Sequence, residues 1–101
     1  MNTTVSLKQS LLEQEALVFS QIPGMDELSN ATASSQHEMM LMYPDAAFAL
    51  MILRGLHLGN REQDEIHQKA YISILRGEAI SNVRFRYDRD QEIYLQKHNW
   101  D

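Results

Sequence analysis

The residues best placed to do chemistry in this chain lie between Val83 and Lys97. Val83-Arg84-Phe85-Arg86-Tyr87 alternates apolar and cationic side chains, and Asp88-Arg89-Asp90-Gln91 follows. Glu92-Ile93-Tyr94-Leu95-Gln96-Lys97 is then a second β-prone run. An alternating run, a polar tetrapeptide and another such run predict a β-hairpin over 83–97. In that hairpin Arg84 and Arg86 share the face opposite Val83, Phe85 and Tyr87, while Arg89 caps the turn. Arg76 and Lys97 lie nearby, so the expected contact surface for DNA or a protein partner is Arg76, Arg84, Arg86, Arg89 and Lys97.

Other constellations carry less. The histidines are His37, His57, His67 and His98, and Asp64 with His67 has the three-residue spacing of a shared helical metal pair. Two ligands do not make a site, so these are read as partly exposed polar histidines and no metal or cofactor is expected. Met39-Met40-Leu41-Met42 offers thioethers to a soft cation, but methionine more often fills cores or forms a greasy partner surface. No Gly-x-Ser-x-Gly elbow, cysteine or phosphate-cradling glycine loop occurs. Asp88 and Asp90, at an exposed hairpin tip, would lack the burial that raises a catalytic pKa. The chain is therefore expected not to be an enzyme.

Composition narrows the class further. A chain of 101 residues with 44% hydrophobic and 23% charged residues is expected to form one domain with a single core. The absence of cysteine excludes disulfide frameworks and thiolate zinc sites. Met1-Asn2-Thr3-Thr4 shows no secretory pattern, so a cytoplasmic protein is expected. The net charge of −5 falls entirely on residues 1–53, where Lys8 faces Glu13, Glu15, Asp26, Glu27, Glu38 and Asp45. Residues 54–101 carry eight cations and eight anions. DNA affinity comes largely from phosphate neutralisation, so any DNA contact must be local to the second half or shared with a basic partner.

The elements that would position these side chains are mainly helical. A first helix is expected from about Leu7 to Gln21, with Ser6 as N-cap, Gln9 closing a capping box, and Leu7, Leu11, Leu12, Ala16, Val18, Phe19 and Ile22 on a broad apolar face. Pro23-Gly24 stops it, and residues 23–35 read as a flexible loop. A helix from Gln36 should break at Tyr43, because Pro44 denies the preceding residue much of the α region. Pro44 then opens a helix reaching about Leu58, whose stretch Ala46–Leu53 is apolar all round. Too short for a bilayer, it is expected to be buried centrally or at a dimer seam, with Phe48, Leu50, Met51, Ile52 and Leu53 as core or dimer residues. Gly59 should end it. Asn60 should cap the next helix, with Gln63 at the box position, a stripe of Ile66, Ala70, Tyr71, Ile74 and Leu75, and Gly77 as stop. The expected architecture is a small, mainly α domain of three to four helices with a C-terminal β-hairpin: helix 1–22, loop 23–35, helical core 36–77, hairpin and tail 78–101.

Two helices, a turn and a basic hairpin follow the order of a winged helix, although Glu62, Asp64 and Glu65 sit where its recognition helix would meet phosphate. The segment from Leu58 to Leu95 also resembles the C-terminal half of the FlhD-type transcriptional activator subunits, known from flagellar regulation and from relatives on mobile elements. In that family a helical domain is followed by a helix ending in an "RFRFD"-like string, to which Arg84-Phe85-Arg86-Tyr87-Asp88 corresponds. The resemblance implies a dimeric helical subunit that binds DNA jointly with a partner protein supplying cationic surface; no catalytic or ligand role is carried over. The expectation is a non-enzymatic regulatory protein acting by protein–protein contact, as a dimeric transcription-regulator subunit. The alternative is a phage or mobile-element inhibitor, antitoxin or adaptor whose acidic helical surface meets a protein target.

Overall fold

A computed structural model describes residues 3–56 and 59–98, with the side chain of Ser10 and those from Leu12 onward. Its helices are α1 (Thr3–Ser20), α2 (Met25–Ser29), α3 (Gln36–Met42), α4 (Pro44–Arg54), α5 (Arg61–Leu75) and α6 (Ile80–His98), and the described residues contain no strand. None of these helices is long and apolar enough to cross a membrane.

The C-terminal hairpin is therefore corrected to a single nineteen-residue helix. The alternation at 83–87 is ambiguous because Val83 and Tyr87, four apart, share a side in a helix as well as in a strand. Extended over the segment, the helical stripe is Ile80, Val83, Tyr87, Gln91 and Tyr94, all buried or half-buried, with Arg84 and Asp90 half-buried at its edges. Phe85 breaks the strand reading by standing 68% exposed. No glycine or proline interrupts residues 80–98, and Asp88–Gln91 lacks the Asn-Gly or Asp-Gly pair that a tight hairpin turn favours.

α5 and α6 form an antiparallel pair. Gly77, at φ 82°, ends α5: its N–H donates to the Ile74 carbonyl at 3.0 Å and the Glu78 N–H donates to the Ser73 carbonyl at 3.2 Å, a Schellman motif. At the other end Asn60 caps α5, its Oδ1 accepting from the Gln63 N–H at 3.2 Å, as expected. The Gln63 side chain does not complete a capping box; it exchanges amide hydrogen bonds with Gln91 at 3.0 and 2.6 Å.

α4 keeps its expected start at Pro44, with Tyr43 (φ −127°, ψ 73°) outside the helical region. It ends at Arg54, with Gly55 as C-cap, rather than near Leu58, which with His57 lies outside the described residues. Nor is it buried all round. Ala46, Phe48, Ala49 and Ile52 are buried, Ala47, Leu50 and Leu53 are half-buried, and Met51 is 42% exposed. The core they form is completed by Phe19, Ile22, Met25, Leu28, Ala70, Ile74 and Val83.

The N-terminal third departs from expectation at several points. α1 begins at Thr3, so Ser6 is inside the helix rather than its cap. Leu12 and Ala16 are exposed with Leu17, and the described anchoring comes from Val18, Phe19 and Ile22, with Phe19 against Tyr71 at a ring separation of 6.0 Å. The expected flexible loop contains α2, whose Met25 and Leu28 are buried. Two apolar side chains three apart are enough to anchor one helical turn, and the small polar residues after them hide that signal. Ser35 closes the remaining stretch by accepting from the Thr32 N–H at 3.1 Å.

Candidate functional site: an apolar groove beside α4

Local hydrogen bonding first decides what each charged residue of α6 can do. The Arg86 guanidinium donates to Glu78 at 2.7 Å, Arg84 pairs with Asp45 at 3.6 Å, and Lys97 pairs with Glu62 at 3.4 Å. Hydrogen bonding from Arg86 holds the Glu78 carboxyl below its ordinary range. Hydrogen bonding from His98, at 3.2 Å, does the same for Glu62, with Lys97 adding to it. Arg89 is exposed and has no ion pair or hydrogen bond among the described residues; it lines a shallow 140 Å³ recess with Lys69, Arg86 and Asp90. Arg76 is exposed at the opposite end of the helix pair from Lys97. Four of the five expected contact cations are thus strung along α6, about 28 Å long, with Arg76 at the C-terminal end of α5, and three are engaged by the chain's own carboxylates.

His67 differs from its expected role as a partly exposed polar residue. It is the buried polar residue of the described core, at 5% exposure. Its Nδ1 lies 2.9 Å from the Gln63 carbonyl, which can only accept, so Nδ1 carries the proton. Nε2 is then the acceptor for the Tyr87 hydroxyl at 3.2 Å. Both ring nitrogens are engaged, so His67 is not available to share a metal with Asp64. Burial pushes the Tyr87 phenol up from its ordinary value. The ring lies against Gly55: a Cβ there would stand 2.2 Å from its Cδ2.

This Gly55–His67 contact floors a groove of about 320 Å³ lined by Met40, Ala47, Leu50, Met51 and Arg54. Positions 47, 50, 51 and 54 recur at helical spacing, so α4 carries a second stripe facing away from its core residues. α3 extends the apolar surface. It buries none of its residues and leaves Leu41 71% and Met42 63% exposed, with Met40 in the groove. Sequence reasoning flagged these methionines and the apolar α4. It did not find the groove, because that depends on Gly55 admitting the ring of His67. The groove offers shape and apolar area, with Arg54 as its charged rim. No family model, curated protein or solved structure matches this chain.

Proposed function

We propose that this protein is a non-enzymatic regulator that acts by contact with other proteins, using the α3–α4 groove. One observation carries the reading: α3 has no buried residue, and its Met40 joins the outward apolar stripe of α4 in lining the groove, with Leu41 and Met42 exposed beside it in sequence. Methionine side chains conform to varied partner shapes, and a groove beside a helix suits another helix laid into it. Action as a DNA-sharing transcription regulator is the narrower form of this proposal. It requires a partner to supply phosphate-neutralising charge, because Arg84, Arg86 and Lys97 already face Asp45, Glu78 and Glu62. The protein-directed form, an inhibitor or adaptor in the cytoplasm, needs no such supply and is the better supported.

A diazirine analogue of methionine, incorporated during expression, tests the contact face. Cross-links to protein mapped to positions 40, 42 and 51 are expected. Labels at these positions that react only with solvent overturn the reading. Salt-sensitive binding of labelled DNA by the isolated protein would move the assignment to direct DNA contact.

A further inference from the structure

We propose that the recess between α5 and α6 is a binding site for a single phosphoryl dianion, the group that a phosphate monoester carries. It shares no lining residue with the α3–α4 groove, so the two sites stand or fall separately. The recess has a volume of about 140 Å³ and the buried Ala70 and Val83 at its base. Lys69 from α5 meets Arg86 and Arg89 from α6 there, against one lining carboxylate, Asp90. Nearby carboxylates hold two of these cations without exhausting their donors. Asp90 lies 3.7 Å from the Lys69 ammonium, an ion-pair distance too long for a hydrogen bond, so the ammonium can turn its N–H groups to a ligand. Glu78, outside the recess, accepts one N–H of Arg86 at 2.7 Å, and a guanidinium has five. Arg89 has no ion pair or hydrogen bond among the described residues. The Tyr87 hydroxyl is committed to His67 and adds only its ring.

Charge and size choose the ligand. Guanidinium groups match tetrahedral oxyanions with paired N–H donors, and such charge-assisted bonds are about twice as strong as neutral ones. Two arginines and a lysine around one concavity suit a group with two negative charges and three terminal oxygens, which a phosphate monoester has near neutral pH. A carboxylate brings a single charge, so it gains less from three cations while still meeting Asp90. The volume, that of four or five waters at about 30 Å³ each, admits one phosphoryl group and not a base with its sugar. A DNA-binding surface instead neutralises roughly 6–10 phosphates along a duplex. The other cations of α6 do not extend the recess into such a track, since Arg84 pairs with Asp45 of α4 and Lys97 with Glu62 near the start of α5.

Isothermal titration of the full chain with inorganic phosphate and with N-acetyl-phosphoserine amide, at about pH 8 and low ionic strength, tests the site. Saturable one-to-one binding with a Kd of about 1 mM or tighter is expected for at least one of the two. Arg89→Gln and Lys69→Gln, both at exposed positions, should each weaken it about tenfold. Arg84→Gln removes the same charge from the same helix and should leave it unchanged. Dimethyl phosphate, a diester with one charge, should bind about tenfold more weakly or not at all. Heteronuclear NMR should show the amides of Lys69, Arg86 and Arg89 moving with phosphate while those of Leu50 and Met51 stay still. Equal affinity for the two monoanion-free probes marks a small phosphate as the source, and tighter binding of the phosphoserine amide marks a phosphorylated protein chain. No saturation by about 20 mM of either probe overturns the site. Equal weakening by Arg84→Gln also overturns it, because general attraction to a cationic helix would then explain the binding. Equal binding of the diester overturns the dianion. If a variant loses helical circular dichroism, the wild-type NMR map decides.

Discussion

The Tyr87 hydroxyl donates to Nε2 of His67 at 3.2 Å, joining α6 to the buried polar residue of α5. Three polar contacts keep one register along this helix pair: Asn60 with Tyr94, Gln63 with Gln91, and His67 with Tyr87. Each step towards the C-terminus of α5 is matched by an equal step back along α6. Tyr87 also packs edge-on against Phe48 at 5.4 Å and against His67 at 5.2 Å, so the ring touches α4 and α5 at once. Tyr87→Phe keeps these ring contacts and removes only the hydroxyl. It should destabilise the fold by about 1–3 kcal/mol by leaving a buried acceptor unpaired. Urea unfolding measures this, and an unchanged midpoint would show that Nε2 finds another donor.

Gly55 and His67 should be energetically coupled. Gly55→Ala places a methyl group where the imidazole lies and should cost about 1–3 kcal/mol. In a His67→Ala background the same methyl enters vacated space, so the double variant should be less destabilised than the two single losses combined. Additive losses would mean that the close approach is relieved by backbone movement.

Helix α6 can be distinguished from a hairpin by one proline. Asp88 is exposed at mid-helix, and Asp88→Pro should cost about 3 kcal/mol or more with a loss of ellipticity at 222 nm. At a hairpin tip the same substitution would be nearly neutral. A variant that melts like the wild type would refute the helix.

Acid should loosen the ends of the α5–α6 pair. The carboxyls of Glu62 and Glu78 are held below the ordinary value of 4.5 by hydrogen bonds from His98 and Arg86 respectively. A depressed folded-state pKa contributes stability above the unfolded value and loses it as pH falls through the folded one. The melting temperature should therefore decline as pH drops below about 4.5, and Glu78→Gln should flatten part of that decline. Both carboxylates are solvent-exposed, so the effect is small and should shrink further in high salt. An acid limb identical in Glu78→Gln would assign the decline to other carboxylates.

Surface charge on α6 gives a fifth contrast. Arg89→Glu breaks no ion pair among the described residues and should leave stability within about 0.5 kcal/mol of the wild type. Arg86→Glu instead sets two carboxylates against each other at Glu78 and should melt earlier. Thermal melts at low ionic strength compare the two; equal behaviour would mean that the Arg86–Glu78 bond contributes nothing in solution.

Local signals alone determined where several helices begin and end. Pro44 breaks the chain at Tyr43, Asn60 caps α5 and Gly77 stops it, because each acts through backbone geometry and hydrogen bonds within about five residues. The stripe of Ala70, Tyr71, Ile74 and Leu75 was equally legible, since these positions share one face of a helix but would fall on both faces of a strand. Tertiary structure decided the rest. Val83–Tyr87 satisfies both a period of two and a helical period until the surface it packs on selects Val83 and Tyr87 and leaves Phe85 in solvent. α2 shows only as two apolar residues until a core receives them. His67 looks polar and exposed until Gly55 makes room for its ring. Pairing Arg84, Arg86 and Lys97 with Asp45, Glu78 and Glu62 likewise joins residues 8 to 39 positions apart, distances over which spacing in a sequence carries no signal. Backbone punctuation is local chemistry; burial and pairing are settled by which surfaces meet.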